Sequence, residues 1–325
     1  SSGEPSEGVS MRLRGVGSIN SSTEPLFILD GSPISSGAFT AINPSDIENV
    51  TVLKDASSTS IYGSRAANGV VVITTKRGKG AKPTVSIKGQ YGFSQPALPT
   101  TEMMSTSQYY DLWKTIAPNA DLSIIKQYMD MGINTNWQDY FLKDNAPTWQ
   151  LDASITGVSK NTNYFISASH YDQEGVEPAS GMKRETLRSN IDTKVFDWLR
   201  VGVNLGLSYE DFETNGFATT GNSWYNVATL SRWALPWETP YEIVDDGNGN
   251  WHYGDRKDLL DVLGLWNPYY LLENQPAEKN KIRLYGNMFE ELTPVKGLTI
   301  RASQALDAFD YRYRYRMLPA QFNNY

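Results

Sequence analysis

At 325 residues the chain can hold one or two domains with a sizeable core. It contains no cysteine and only two histidines, His170 and His252, which nearly excludes zinc or Cys/His chemistry, and its net charge of -7 argues against nucleic acid, whose binders carry basic stripes. No apolar run approaches the roughly 18 to 20 residues of a membrane helix, whereas a barrel strand needs only about 9 to 11 alternating residues.

The opening Ser1-Ser2-Gly3-Glu4-Pro5 carries no secretory leader and reads as mid-domain, so the mature N-terminus is expected upstream. Val9, Met11 and Leu13 alternate with Ser10, Arg12 and Arg14, the pattern of a half-buried strand. Gly15 to Glu24 is small and polar, hence a loop. Leu26 to Leu29 is a short apolar strand closed by the turn pair Asp30-Gly31. Asn43 caps a brief helix begun by Pro44, with Asp46 and Glu48 suited to its positive end, and Val50 to Leu53 returns to strand. Asp55 caps a second helix over Ala56 to Tyr62, Gly63 stops it, and Gly69 to Thr75 is apolar enough to be a strand covered on both faces. These pieces make one compact α/β unit.

Five words in this order carry a family resemblance: Arg12-Leu13-Arg14-Gly15, Pro25-Leu26-Phe27-Ile28-Leu29-Asp30-Gly31, Val52-Leu53-Lys54-Asp55-Ala56, Tyr62-Gly63-Ser64-Arg65 and Ala67-Asn68-Gly69-Val70-Val71. The unit resembles the plug domain of TonB-dependent outer-membrane transporters, specifically the SusC/RagA-like branch. The resemblance implies that the loop after Arg14-Gly15 faces incoming substrate through Ser18, Asn20, Ser21 and Ser22, with Ser35, Ser36 and Phe39 on the next apical loop. As bare residues they are equally well read as solvated loop. It also implies that basic plug residues pair with acidic residues of the barrel wall, a role that falls on Arg14 and Lys54. Lys54 replaces a commoner Arg there and loses its bidentate geometry.

Gly78 to Pro83 reads as a linker, and beyond it the period is two. Val85, Ile87, Tyr91 and Phe93 alternate with polar or small residues, as do Trp149, Leu151, Ala153 and Ile155, and later Val201, Val203, Leu205 and Leu207. Seven strands are predicted, near 84–94, 148–157, 163–171, 185–196, 199–210, 281–292 and 297–306. Alternation alone fits a soluble sandwich, with its apolar face as core, or a membrane barrel, with that face in lipid. Short links at Gly157 to Asn161 and Asp197-Trp198 against long excursions elsewhere, with aromatics near strand ends, favour the barrel.

Two insertions break the strands. Met104, Tyr109, Leu112, Trp113 and Ile116 share a helical face, and a second helix is expected around Leu122 to Met131. Asp211 to Asn280 holds Trp224, Trp233, Trp237, Trp251 and Trp266 among Asn and Asp; such rings suit sugars or peptide side chains, or pack the loop on itself or on a lid. Asp245 to Asn250 has neither the spacing nor the terminal Glu of a calcium loop and reads as a hairpin turn. Gly78-Lys79-Gly80 and Gly15-Val16-Gly17 lack the rest of any nucleotide fingerprint, and neither histidine lies in a catalytic motif. No cofactor, metal or covalent chemistry is expected.

The expectation is a transmembrane antiparallel β-barrel, about seven strands of about 22, with a small α/β plug in its lumen: residues 1–79 as plug, 80–325 as the first part of the barrel, and long extracellular loops near 95–147 and 211–280. The resemblance implies TonB-dependent import of a glycan or peptide oligomer across a Gram-negative outer membrane, with a SusD-like surface lipoprotein and the TonB complex as partners. A passive porin or adhesin, or a soluble β-rich carbohydrate-binding module, are the alternatives.

Overall fold

The computed structural model describes residues 11–13, 24–55, 60–96, 102–214, 227–248, 250–260 and 264–316. Asp30 and Gly31 both take positive φ (49° and 89°), which closes β1 (Leu26–Leu29) onto β2 (Ser32–Ile34) as a two-residue hairpin. Helix α1 (Ser36–Ala41) starts at Ser35, whose hydroxyl accepts from Ala38 N at 3.2 Å. Asn43 likewise accepts from Ser45 N at 3.0 Å and starts a 3-10 turn over Pro44–Asp46. β3 (Ile47–Leu53), a 3-10 segment (Ser60–Ala66) bent at Gly63 and β4 (Val70–Thr75) complete a sheet of order β2-β1-β4-β3, with β1 and β4 parallel. β4 packs Val71 and Ile73 against Phe27, Leu29 and α1 on one side, and Val70 against Ile28 and Ala66 on the other. Cover on both faces explains its unbroken apolar run.

One N-terminal expectation changes. Met11 to Leu13 form no strand, yet Met11 and Leu13 pack on the α1 side of the core, so their alternation reported burial rather than pairing. The helix over 56–62 falls largely outside the described residues.

After the linker, β5 (Thr84–Ser94), β6 (Ala146–Ser159), β7 (Thr162–Glu174), β8 (Gly181–Phe196) and β9 (Leu199–Glu213) run as an antiparallel meander. An excursion follows, with β10 (Tyr241–Asp245) paired to β11 (Trp251–Arg256) and β12 (Leu259–Leu260) to β13 (Leu265–Trp266). β14 (Ala277–Val295) and β15 (Leu298–Tyr315) then resume the wall, giving the order β15-β14-β9-β8-β7-β6-β5. All seven wall strands are where alternation places them, but several run further: β8 begins at Gly181 and β15 reaches Tyr315. There the outward pairs Lys183–Asp211, Asp211–Asn280 and Asn280–Arg312 are polar on a face that is apolar lower down, so the period-two contrast fades.

One outward row crosses the whole wall as Ile87, Ala153, Ala168, Leu187, Leu207, Leu284 and Ala308. Leu187 and Leu207 stay 50% and 43% exposed, while the inward Asp152, Thr186, Arg188, Asn204 and Ser208 are buried. A soluble sandwich requires the reverse. Along β9 the outward positions from Leu199 to Tyr209 are apolar before Asp211. That span is about 34 Å at roughly 3.4 Å per residue, or about 26 Å upright at a tilt of about 40°, close to the apolar band of about 25 Å of a membrane barrel. Phe196 and Trp198 stack at 5.3 Å beside the short turns, and Trp149 and Tyr209 lie at the other border.

The long excursions leave the opposite rim and join each other. Helices α2 (Thr106–Ile116), α3 (Ser123–Asp130) and α4 (Trp137–Phe141) belong to the first, and α5 (Val227–Trp233) and α6 (Pro268–Asn274) to the second. Trp137 and Phe141 share a core with Val227, Leu230 and Leu260, and Trp137 Nε1 donates to Leu235 O at 2.9 Å.

Candidate functional site

The α/β unit is seated against the inner face of the wall through side chains that are almost all polar. Asp30, fixed by the β1–β2 turn, accepts from Thr75 N at 2.9 Å and Thr75 Oγ1 at 2.7 Å. Arg188 reaches it from β8 at 3.0 Å, with both side chains 1% exposed, and Arg77 adds a second cation at 3.1 Å. Around this pair, Asn190 donates to Thr75 Oγ1 (2.9 Å) and Lys76 O (2.7 Å). Asn287 on β14 donates to Asp30 O and Ser32 Oγ, both at 3.0 Å, and is oriented by Asn204, which donates to its Oδ1 at 2.6 Å.

A second group forms below the 3-10 turn. Asp152 on β6 accepts from Asn43 Nδ2 at 2.8 Å and Ser45 Oγ at 2.7 Å, and Ser167 on β7 donates to Asp46 at 2.5 Å. A third lies at α1, where Arg283 donates to Ser35 Oγ (2.7 Å) and Asp307 (2.6 Å), and Ser35 N donates to the same carboxylate at 3.1 Å. The apolar exception is Tyr285, which joins the α1-side core. Its ring lies over Gly206, where a Cβ would come within 2.5 Å of it. Among the described residues, the unit keeps most of its core to itself and meets the wall mainly through hydrogen bonds, one buried ion pair and the Tyr285 ring.

The comparisons with known proteins agree with this arrangement. The family pattern described as TonB-dependent Receptor Plug Domain matches residues 1–70. TonB-dependent receptor SusC of Bacteroides thetaiotaomicron is 37% identical over 84% of this chain, and TonB-dependent receptor P26 of Formosa agariphila is 32% identical over 99% of it. The structure of the RagAB peptide transporter superposes on 97% of the chain with a TM-score of 0.80 at 28% identity. The chain belongs to the SusC/RagA-like TonB-dependent transporters. It spans about a third of these relatives: 31% of P26, 27% of SusC and 38% of the RagAB chain.

In this SusC/RagA-like chain the α/β unit is the plug and the seven-stranded sheet is part of the barrel wall. Of the residues singled out from sequence, Arg14, Ser18, Asn20, Ser21, Ser22 and Trp224 lie outside the described residues. Ser35 is engaged with α1 and with Arg283 and Asp307, Ser36 opens α1, and Phe39 stacks on Phe27 at 4.7 Å. Lys54 is exposed past the end of β3 and joins none of the ion pairs among the described residues, whereas the described pair that crosses from plug to wall puts the acid, Asp30, on the plug. Trp237 is buried edge-on against Tyr109 at 4.6 Å, Trp251 is half-buried beside Tyr253, and Trp233 is exposed. Arg188, Asn190 and Asn287 were missed. Alternation marks them as inward, but their plug partners lie more than 110 positions away in sequence.

Burial raises the Asp46 carboxyl above the ordinary carboxylate range, against the bond from Ser167 and the attraction of Arg188, and Asp152 nearby adds to the rise. The seated form therefore binds a proton that the unfolded chain gives up. This group's contribution weakens as pH rises through the raised value and is fully present only below about 4. In the full-length protein, Asp46→Asn is expected to flatten the neutral-to-acid side of the stability profile without lowering the neutral-pH unfolding midpoint. A lower midpoint would mean that the bond to Ser167 outweighs the burial cost.

Proposed function

We propose that this chain is the plug and the leading part of the barrel of an outer-membrane importer that takes up a glycan or peptide oligomer in a TonB-dependent step. The plug comprises residues 1–79, and the wall with its outer lobe 80–325. A SusD-like surface lipoprotein covers the outer lobe, and the TonB complex acts from the periplasm on the far side of the plug. The observation that carries this reading is the Asp30–Arg188 seam, in which a plug with a core largely its own meets the wall mainly through polar contacts. Kinship with the TonB-dependent receptor SusC and with the RagAB peptide transporter supports the cargo class and the partners. The lipid-ready outer band supports the location. No covalent step is involved, and the residues at the seam act by binding and release.

Uptake of labelled oligomer by cells carrying the full-length protein tests it. Deleting the TonB homologue is expected to abolish saturable uptake while leaving surface binding, and undiminished uptake would overturn the reading in favour of a passive pore.

A further inference from the structure

The run Tyr311-Arg312-Tyr313-Arg314-Tyr315-Arg316 closes β15, and its period of two sorts it onto two faces of the wall. Tyr311 pairs with Lys281 on the lumen side, whereas Arg312 pairs with Asn280 and Arg314 with Glu278 on the outward face. Arg316 N donates to Pro276 O at 3.2 Å, which carries the alternation one step further. Three guanidinium groups therefore stand in one outward stripe above Leu306 and Ala308, with side chains 68%, 68% and 62% exposed.

The stripe is only partly neutralised. Arg312 meets Asp310 at 3.0 Å, and Arg316 and Arg314 share Glu278 at 3.1 Å and 3.9 Å, which sets three positive charges against two negative ones. A guanidinium holds a fork of N–H donors, so these contacts leave most of them open, in the geometry that suits phosphate oxygens. The acidic outward residues of β9, Asp211 and Glu213, stand two strands away. That is about 10 Å at roughly 4.8 Å per strand, beyond the Debye length of about 8 Å. The rim at β15 is thus locally positive on a chain whose net charge is -7.

Height selects the ligand. Ala308 is the last apolar outward position of β15. At roughly 3.4 Å per residue and a tilt of about 40°, Arg312 lies about 10 Å above it and Arg316 about 21 Å above it. The headgroup layer of a phospholipid leaflet is about 5–8 Å deep, so its phosphates approach Arg312 but not Arg316. Engaging the whole stripe takes a thicker headgroup, with anionic groups spread over several sugars.

We propose that Arg312, Arg314 and Arg316 form a site on the lipid-facing wall for a phosphorylated glycolipid of the outer leaflet. The guanidinium groups fork its headgroup phosphates, and its acyl chains lie along Leu306 and Ala308. The site is separate from the cargo route and rests on the import reading only for its membrane location. Purified full-length protein in detergent is titrated with bacterial lipopolysaccharide, with the lipid A portion alone, with phosphatidylglycerol, with inorganic phosphate and with a soluble acidic peptide. Affinity is expected to fall in the order lipopolysaccharide, lipid A, phosphatidylglycerol. Each arginine near an anionic surface contributes about fivefold, so Arg312→Gln, Arg314→Gln and Arg316→Gln together should weaken lipopolysaccharide about tenfold or more. The three Arg→Lys substitutions should keep part of that affinity, and Lys183→Ala on β8 should leave it unchanged. Arg314→Gln alone, expected to cost about fivefold, gives the same reading should the triple variant not fold. A lipopolysaccharide affinity indifferent to these Arg→Gln changes, phosphatidylglycerol bound as tightly, or displacement of the glycolipid by millimolar inorganic phosphate would overturn the assignment. Tighter binding of the acidic peptide would overturn it in favour of a protein partner. Failure of the membrane location shows separately, as a urea midpoint unchanged by Leu207→Arg.

Discussion

Arg188→Ala in the full-length transporter should unseat the plug. Arg188 and Asp30 are each 1% exposed, and truncating one partner of a buried pair costs about 3–5 kcal/mol when the other charge is left uncompensated; Arg77, at 3.1 Å from Asp30, keeps part of that compensation and holds the cost to about 3 kcal/mol or less. At about 1.4 kcal/mol per decade, that is a shift of up to roughly 100-fold from seated to displaced plug. The readout is conductance across a planar bilayer, closed for the parent protein and leaky for the variant. Asp30→Asn combined with Arg188→Met should leak less than Arg188→Ala alone, because no unpaired charge then stays buried. Arg77, nearly one-third exposed, can turn to water in that background. A closed Arg188→Ala channel would show that the hydrogen bonds of Asn190 and Asn287 suffice to hold the plug.

Leu207→Arg should destabilise the membrane-inserted wall. Leu207 lies in the middle of the outward apolar row, with Leu187 and Leu284 as its cross-strand neighbours. If that face met water, a charge there would cost within about 0.5 kcal/mol, as ordinary surface changes do. Against lipid the cost is about 2–4 kcal/mol at the midplane and about 0–1 kcal/mol near the border, and Leu207, one outward position below Tyr209, falls between. Urea unfolding in lipid vesicles separates the two, with a clear drop in midpoint expected for Leu207→Arg and none for Lys183→Ala, which lies on the same face above the band. Equal midpoints would remove the lipid assignment.

The seven wall strands were legible because a period of two survives wherever one face is wet and the other is not. Where both faces are wet, as at Lys183 and Asn280, the signal stops before the strand does. The Asp30-Gly31 turn and the Asn43-Pro44 cap were legible because they are local, each settled within a few residues. The partners of Asp30 were not, since a side chain on β8 shows its direction in the sequence but not the distant residue it meets. The short helices α4, α5 and α6 escaped for a different reason. At five to seven residues they span fewer than two turns, too few for a helical period to repeat, and packing rather than propensity fixes them.

The shared core of Trp137, Phe141, Val227 and Leu230 links excursions that leave the wall after β5 and after β9. Loops of that length would ordinarily wag independently. Fastened together, they can tilt only as one flap, with the upper ends of four wall strands for its hinge, and a tug on either half is felt by the other.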